Sequence, residues 1–404
     1  MQASRRISDI ECLRGVAVVF VILFHARNTL FPWKIPAWDH VVDHYFSLWP
    51  GVDLFFAISG FVIARTLLPT LRRCDGPSEY VRAALVFWVQ RAWRLLPSAW
   101  LWLLIMLAGS AWLNRSGLFD TFHTNFEATI AGMLSIANFR FAESFGLRGY
   151  GISTHYWSLS LEEQFYMLLP PVVFLSRQRL PLVLLVVTFG VFLLPQTNFV
   201  MTFRVHAILL GVLLAIFSEQ PVHALFEPIA LRGRPTLGLT VLTGLLGVIA
   251  ALAVYGQLIA DHNVDVIAVL CAILVLIASF DRDYLFPYPA LRRVMSWLGS
   301  RSYALYLVHI FAFVVTREIW FRLAPPGTVF GSTYTLRFVV TALVLLFGLA
   351  ELNYRLVERP LRSYGRGVAA RLAARPLFVA AADLEPRPVA TDDLLADNEA
   401  SVRP

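Results

Sequence analysis

LRGVAVVFVILFHAR, Leu13 to Arg27, decides how the rest of the chain is read. Between Arg14 and His25 lie ten uncharged, mostly aliphatic residues, Gly15 to Phe24. Eleven steps of about 100° close about three turns, so a helix carries both groups on one face. The rise between them is about 16 Å, over half of a hydrocarbon core about 30 Å thick. A guanidinium and an imidazole on one side of a membrane-buried helix are costly unless they line a polar cavity. The other reading of the same pattern is an arginine held at the interface and a histidine bonded to a backbone carbonyl.

Outward from this stretch the composition favours a membrane. Of 404 residues 58% are hydrophobic and 15% charged, with a mean hydropathy of +0.65. A soluble domain carries about 25% charged residues. The expected fold class is therefore all-α, a polytopic bundle of about ten transmembrane helices. Apolar segments of spanning length lie near 10–30, 50–69, 93–113, 159–176, 181–197, 202–218, 236–255, 264–280, 299–320 and 336–357. Ser4-Arg5-Arg6 leads into the first without a small-residue cleavage site, so it reads as a span and not as a cleaved signal.

Loop charge sets the orientation. One side holds Arg72, Arg73, Arg82, Arg91, Arg94, Arg177, Arg179, Arg232, Arg234, Arg282, Arg292, Arg293 and, beyond the last span, Arg359, Arg362, Arg366, Arg371 and Arg375. The other holds fewer: Arg27, Lys34, Arg115, Arg140, Arg148, Arg317 and Arg322. The positive-inside rule then places both termini in the cytoplasm. The net charge of +7 is spread over many short loops, which does not suggest nucleic acid. Only Lys34 among the 34 basic residues is a lysine, a bias that fits a GC-rich bacterial genome. Cys12, Cys74 and Cys271 have no metal-ligand spacing and read as reduced or buried thiols. No metal site is expected. Residues 1–365 read as one membrane-embedded domain and 366–404 as a cytoplasmic tail. Its acidic, proline-containing end, Ala382 to Pro404, is expected to be disordered. The outer connection Asn114 to Tyr156 reads either as a cap over a cavity or as a solvated loop with a short helix.

In this topology Arg14 lies near the cytoplasmic face and His25 deep, toward the outer face. Asp53 lies near the outer end of the second span, and Ser59-Gly60 at mid-depth, where Gly60 suits a close helix approach. Arg91 and Arg94 are neighbours on one helical face at the cytoplasmic border. Paired guanidinium groups suit phosphate oxygens, although ordinary positive-inside anchoring explains them too. The fourth span opens YWSLSLEEQFY, Tyr156 to Tyr166, with Trp157, Ser158, Glu162 and Glu163. Both carboxylates enter at about the depth of His25, and at most one faces it. A carboxylate beside an imidazole fixes its tautomer and raises its basicity. The alternative is a glutamate bonded to Ser158 or Tyr166 for packing. Arg204 either binds an acceptor or snorkels to the outer interface. Ser302, Tyr303, Tyr306 and His309 stripe the ninth span, where His309 reads first as a satisfied core histidine.

Taken together, Arg14 and His25 with ten residues between them, GVDLFFAISGF (Gly51–Phe61), RAWRLLP (Arg91–Pro97), YWSLSLEEQFY and LGSRSYALYLVH (Leu298–His309) resemble the acyltransferase-3 family. The resemblance spans residues 5 to 360, and its strength lies in the ordered set. It implies a fold of about ten helices in the bacterial inner membrane. It implies transfer of an acyl group, usually acetyl, from cytoplasmic acyl-CoA as co-substrate to a hydroxyl of a cell-surface polysaccharide or lipid-linked sugar. A small secondary metabolite is the alternative acceptor. It also implies that Arg14, His25, Arg91 and Arg94 matter, and it aligns the fourth-span carboxylate with Glu162. Some members carry a C-terminal hydrolase-like domain; no GDS-like motif follows here, so a second transfer on this polypeptide is not expected.

The mechanism expected on this basis docks the nucleotide phosphates on Arg91 and Arg94 with help from Arg14. The pantetheine arm threads along the first helix. His25, oriented by Glu162, takes the acceptor's proton, by direct transfer or through an acyl-histidine. Asp53, Trp157, Ser158, Glu163, Tyr166, Arg204, Tyr303 and His309 stand as acceptor-binding or supporting residues. No bound cofactor is expected. The rival from another class is a permease for a glycan precursor, against which the absence of internal repeats counts.

Overall fold

The computed structural model describes residues 7–145, 147, 149–195, 197–255 and 262–374. Arg148, Arg375 and the expected disordered tail lie outside the described residues. Among those described, every regular element is helical. Helix α1 (Ser8–His25) continues into a five-residue π-turn, Ala26–Leu30. The short α2 (Pro36–His44) precedes α3 (Gly51–Arg72) and the 36-residue α4 (Pro77–Trp112). The connection from α4 holds α5 (Phe122–Met133) and α6 (Ala137–Ser144). Then come α7 (Tyr156–Ser176), α8 (Leu180–Phe192), α9 (Asn198–Thr202) and α10 (His206–Ser218). The last third comprises α11 (Pro235–Tyr255), α12 (Asn263–Ser279), α13 (Pro289–Ser300) and α14 (Ser302–Leu323). A second π-turn, Tyr354–Glu358, joins α15 (Thr335–Asn353) to α16 (Arg359–Ala374).

Among the described residues six helical stretches are long and apolar enough to cross a membrane: Gly51–Arg72, Pro77–Trp112, Tyr156–Phe192, Pro235–Tyr255, Ser302–Leu323 and Ser332–Ala374. His206–Ser218 and Asn263–Ser279 are shorter apolar helices. Helix α1 is not among the six because Asp9, Glu11 and Arg14 crowd three charges into its first two turns. The expected segment 299–320 differs at its start. Arg301 breaks the chain there at φ −109° and ψ 6°, so Leu298 and Gly299 end a separate helix, α13. The Arg301 guanidinium is held by Glu351 at 2.7 Å and stacks on the Trp297 and Tyr354 rings.

Two glycine pairs let backbones touch. A Cβ on Gly60 meets the Ile208 carbonyl oxygen at 2.1 Å, and one on Gly211 meets that of Ala57 at 2.2 Å. Helix α3 therefore lies directly on α10. In the same way a Cβ on Gly15 meets Met295 O at 2.3 Å, and one on Gly299 meets Glu11 O at 1.9 Å, which seats α13 on α1. Close approach through small residues replaces the hydrophobic drive that lipid removes. These seams leave the space among α1, α3, α4, α7 and α14 for polar side chains.

Gly60→Val forces the α3–α10 seam apart and is expected to cost about 1–3 kcal/mol. Thermal unfolding in detergent checks it, with Gly244→Val, which meets nothing within 4 Å, as the neutral control.

Candidate active site

A cavity opens among α1, α3, α4, α7 and α14. Of the residues singled out in the sequence, Arg14, Arg91, Arg94, Ser158, Glu162, Tyr166 and Tyr303 line it. Arg14 donates to Ser302 Oγ at 3.1 Å and stands 3.7 Å from Glu11. Arg91 lies over the Phe87 and Tyr166 rings at 5.6 and 5.5 Å. Neither Arg91 nor Arg94 is held in an ion pair among the described residues, so their donors remain available to an anion. A second cavity shares Arg14, Arg94 and Val62 with the first. It adds Arg65 and Arg362, which sequence reasoning did not single out, beside Tyr354 and Glu358 of the second π-turn. Single π-turns are rare and gather at functional sites; here one flanks this cavity and the other directly follows His25.

Glu162 accepts from Ser59 and Tyr166, and those two hydroxyls are 2.7 Å apart. The expected bond between Glu162 and His25 is absent. His25 Nδ1 instead bonds the Val21 carbonyl at 2.9 Å, one turn back along its own helix. A carbonyl only accepts, so Nδ1 carries the proton and Nε2 keeps its lone pair. Ser158 bonds the His155 carbonyl and, at 2.6 Å, the Tyr306 hydroxyl, and not Glu162. Tyr303 donates to Leu95 O at 2.7 Å. Glu163 points elsewhere: it accepts from Ser135 at 2.5 Å and borders an apolar groove between α4 and α7.

Ser158 and Tyr306 line the cavity, and His25 is not among its lining residues. On the far side of Tyr306 stand three imidazoles. His25 packs edge-on against His309 at 4.9 Å between centroids, and His309 against His155 at 5.0 Å. Tyr306 touches the last two at 5.5 Å each. His155 lies one residue before the YWSLSLEEQFY motif and read as loop, so only its position beside that motif signalled it.

The family model described as an acyltransferase domain matches residues 7–350. The chain belongs to the acyltransferase-3 family. It is similar to the peptidoglycan O-acetyltransferase OatA of Listeria monocytogenes, with 25% identity over 390 residues, 89% of this chain and 56% of that protein. It is 24% identical over 392 residues to the O-acetyltransferase OatA of Staphylococcus aureus, covering 90% and 58%. It is 27% identical over 394 residues to the putative peptidoglycan O-acetyltransferase YrhL of Bacillus subtilis, covering 90% and 56%. The chain thus spans little more than half the length of these relatives. No solved structure matches it.

In this chain Arg204 does not snorkel, and Asp53, in the first turn of α3, is buried with it. Arg204 Nε lies 3.3 Å from Asp53 Oδ1, and both side chains are buried. Trp49 and Trp157 clamp the guanidinium at 4.6 and 5.2 Å. Trp157 also meets Phe56, a residue of the cavity wall.

Removing one partner of a buried ion pair costs about 3–5 kcal/mol because the other charge is stranded, whereas removing both is often neutral. Arg204→Met and Asp53→Asn are each expected to lower the unfolding midpoint, and the double variant to recover most of the loss. A double-mutant cycle of unfolding midpoints checks this.

Proposed function

We propose that this chain is a multi-pass enzyme of the bacterial inner membrane. It transfers an acyl group, acetyl first of all, from cytoplasmic acyl-CoA to a hydroxyl of a cell-envelope glycan. The names of its relatives make peptidoglycan the first acceptor to try. The observation that carries the reading is the cavity that Arg14, Arg91 and Arg94 line together with Ser158 and Tyr306. The topology proposed with it is about ten crossings, counting α1, α8, α10 and α12, with both termini cytoplasmic.

The donor's phosphates bind at the second cavity, on Arg65, Arg362, Arg94 and Arg14. Guanidinium forks match phosphate oxygens through charge-assisted bonds. The pantetheine arm enters the first cavity beside Arg91, and the thioester reaches Ser158 and Tyr306. Their hydroxyls supply donors for the oxyanion that forms on the acyl carbonyl. The acceptor arrives from the opposite side, where His25 Nε2 takes its proton. The freed oxygen bonds to the acyl carbon, the carbon–sulfur bond breaks, and the thiolate recovers the proton from His25. Glu162 acts at a distance from the imidazole, holding Ser59 and Tyr166 in the cavity wall. The orienting group for His25 is the Val21 carbonyl.

His25→Gln is expected to fold and insert but to lose about 10²–10⁴ in turnover, the usual worth of a general base. Release of thiol from acetyl-CoA in membranes, with and without soluble peptidoglycan fragments, measures it; turnover like wild type removes His25 from the base role. A permease releases no thiol under either condition.

Arg91→Ala with Arg94→Ala is expected to raise the KM for acetyl-CoA about tenfold or more, from the loss of charge-assisted bonds worth about 1.5–3 kcal/mol each. An unchanged donor KM returns the pair to membrane anchoring.

A further inference from the structure

A third cavity lies away from the candidate active site, where the connection from α10 meets the start of α11. Arg232, Arg234, Arg282 and Arg292 line it with Asp283 and Tyr284. Its charges do not balance. Asp283 pairs with Arg292. Arg232 and Arg282 share one oxygen of Glu227, at 3.5 and 3.8 Å, and that oxygen also accepts from the Tyr284 hydroxyl at 2.6 Å. Arg234 is exposed and has no ion pair among the described residues. Two carboxylates thus serve four guanidinium groups, one of which is left over and two of which are held only at long range.

The same connection turns apolar side chains outward. Leu225, Phe226 and Ile229 are 82%, 56% and 65% exposed. Their backbone is nevertheless pinned to the bundle. His223 bonds Ser279 at 3.0 Å and stacks on Phe280, Phe226 meets Phe217 edge-on, and Leu231 is buried. An apolar patch held outward in this way needs something to cover it. The next element says what does. Helix α11 begins at Pro235, three residues after Arg232, and is long and apolar enough to cross a membrane. Exposed apolar tips followed by arginines at the start of a span are the pattern of an element lying in the lipid interface.

We propose that this cavity binds the phosphate headgroup of an anionic phospholipid, with Leu225, Phe226 and Ile229 dipping into the acyl region of the same leaflet. Guanidinium forks hold phosphate oxygens through charge-assisted bonds. A zwitterionic headgroup brings its own cation up to the arginines and is disfavoured. Free phosphate offers the same oxygens but leaves the apolar tips uncovered, so a lipid is the source the surface fits. The site shares no residue with the first two cavities, and it stands or falls independently of acyl transfer.

The test titrates the full chain in detergent with phosphatidylglycerol or phosphatidylcholine and follows bound lipid by native mass spectrometry. The wild type is expected to bind phosphatidylglycerol at least tenfold more tightly than phosphatidylcholine. An arginine near a lipid surface is worth a factor of about five, so Arg232→Gln with Arg234→Gln is expected to weaken phosphatidylglycerol tenfold or more. Both side chains are exposed, so the variant keeps its fold. Arg366→Gln with Arg371→Gln removes the same charge from α16 and is expected to change binding less than twofold. A second measurement reads the apolar tips. Leu225→Cys in a Cys74→Ser background takes a fluorophore, because Cys12 and Cys271 are buried. In nanodiscs the label is expected to be quenched by lipids brominated on their acyl chains and not by aqueous iodide. Equal binding of the two lipids, or an equal loss in the α16 control, overturns the site. Displacement of phosphatidylglycerol by millimolar inorganic phosphate, or a label quenched by iodide alone, overturns the lipid as its occupant. Thiol release is not the readout, so none of these results bears on acyl transfer.

Discussion

The hydrogen bond from His25 Nδ1 to the Val21 carbonyl governs what this site can do. It costs the helix little, since a carbonyl has a second lone pair to offer. It fixes the tautomer without a carboxylate, so no negative charge is needed beside the imidazole in a membrane interior. A carboxylate partner makes a stronger base but needs its own solvation or counter-charge. The π-turn Ala26–Leu30 begins at the next residue, so the helix loses its regular register just where His25 faces His309.

How far the sequence carried the reading depended on whether the information was local. The 11-residue step from Arg14 to His25 and the three-residue step from Arg91 to Arg94 fix faces of single helices, and the three arginines do share a cavity. The bond between Glu162 and Tyr166 follows from their four-residue spacing. What periodicity cannot supply is the neighbour on another helix. Ser59 reaches Glu162 across 103 positions, and Tyr306 reaches Ser158 across 148. A similar expected depth for His25 and Glu162 does not bring the side chains together: Ser59 and Tyr166 occupy the carboxylate instead. The break at Arg301 was hidden in the same way, and the partner of its guanidinium, Glu351, lies fifty residues away.

Around Arg204 the bundle handles charge by pairing. Arg204 is neutralised by Asp53 and covered by two tryptophan faces, an arrangement that makes a buried guanidinium tolerable through both Coulomb and cation–π terms. Nearby, Asp265 lies between His206 at 3.1 Å and the exposed His262 at 2.8 Å. The inner cavity is built differently. Arg91 and Arg94 line open space without an ion pair among the described residues, with Glu162 in the same cavity and Glu358 beside Arg94 in the second. The buried Arg204 is thus matched inside the bundle, whereas Arg91 and Arg94 are left unpaired among the described residues, beside a second cavity that adds Arg65 and Arg362.

On the proposed reading, the partition at Tyr306 has a chemical use. A cavity that ran unbroken from the arginines to His25 would carry water to the base and the thioester together, and hydrolysis would compete with transfer. The Tyr306 hydroxyl closes that route by bonding both Ser158 and the His155 carbonyl. Its ring meets Phe55 on the cavity side and the buried histidines on the other. Excluding water strengthens each electrostatic contact in the closed space and suppresses the side reaction. A hydroxyl group on the partition adds what an aliphatic wall could not: a donor that can turn from Ser158 or His155 to a developing oxyanion at the point where the two substrates meet.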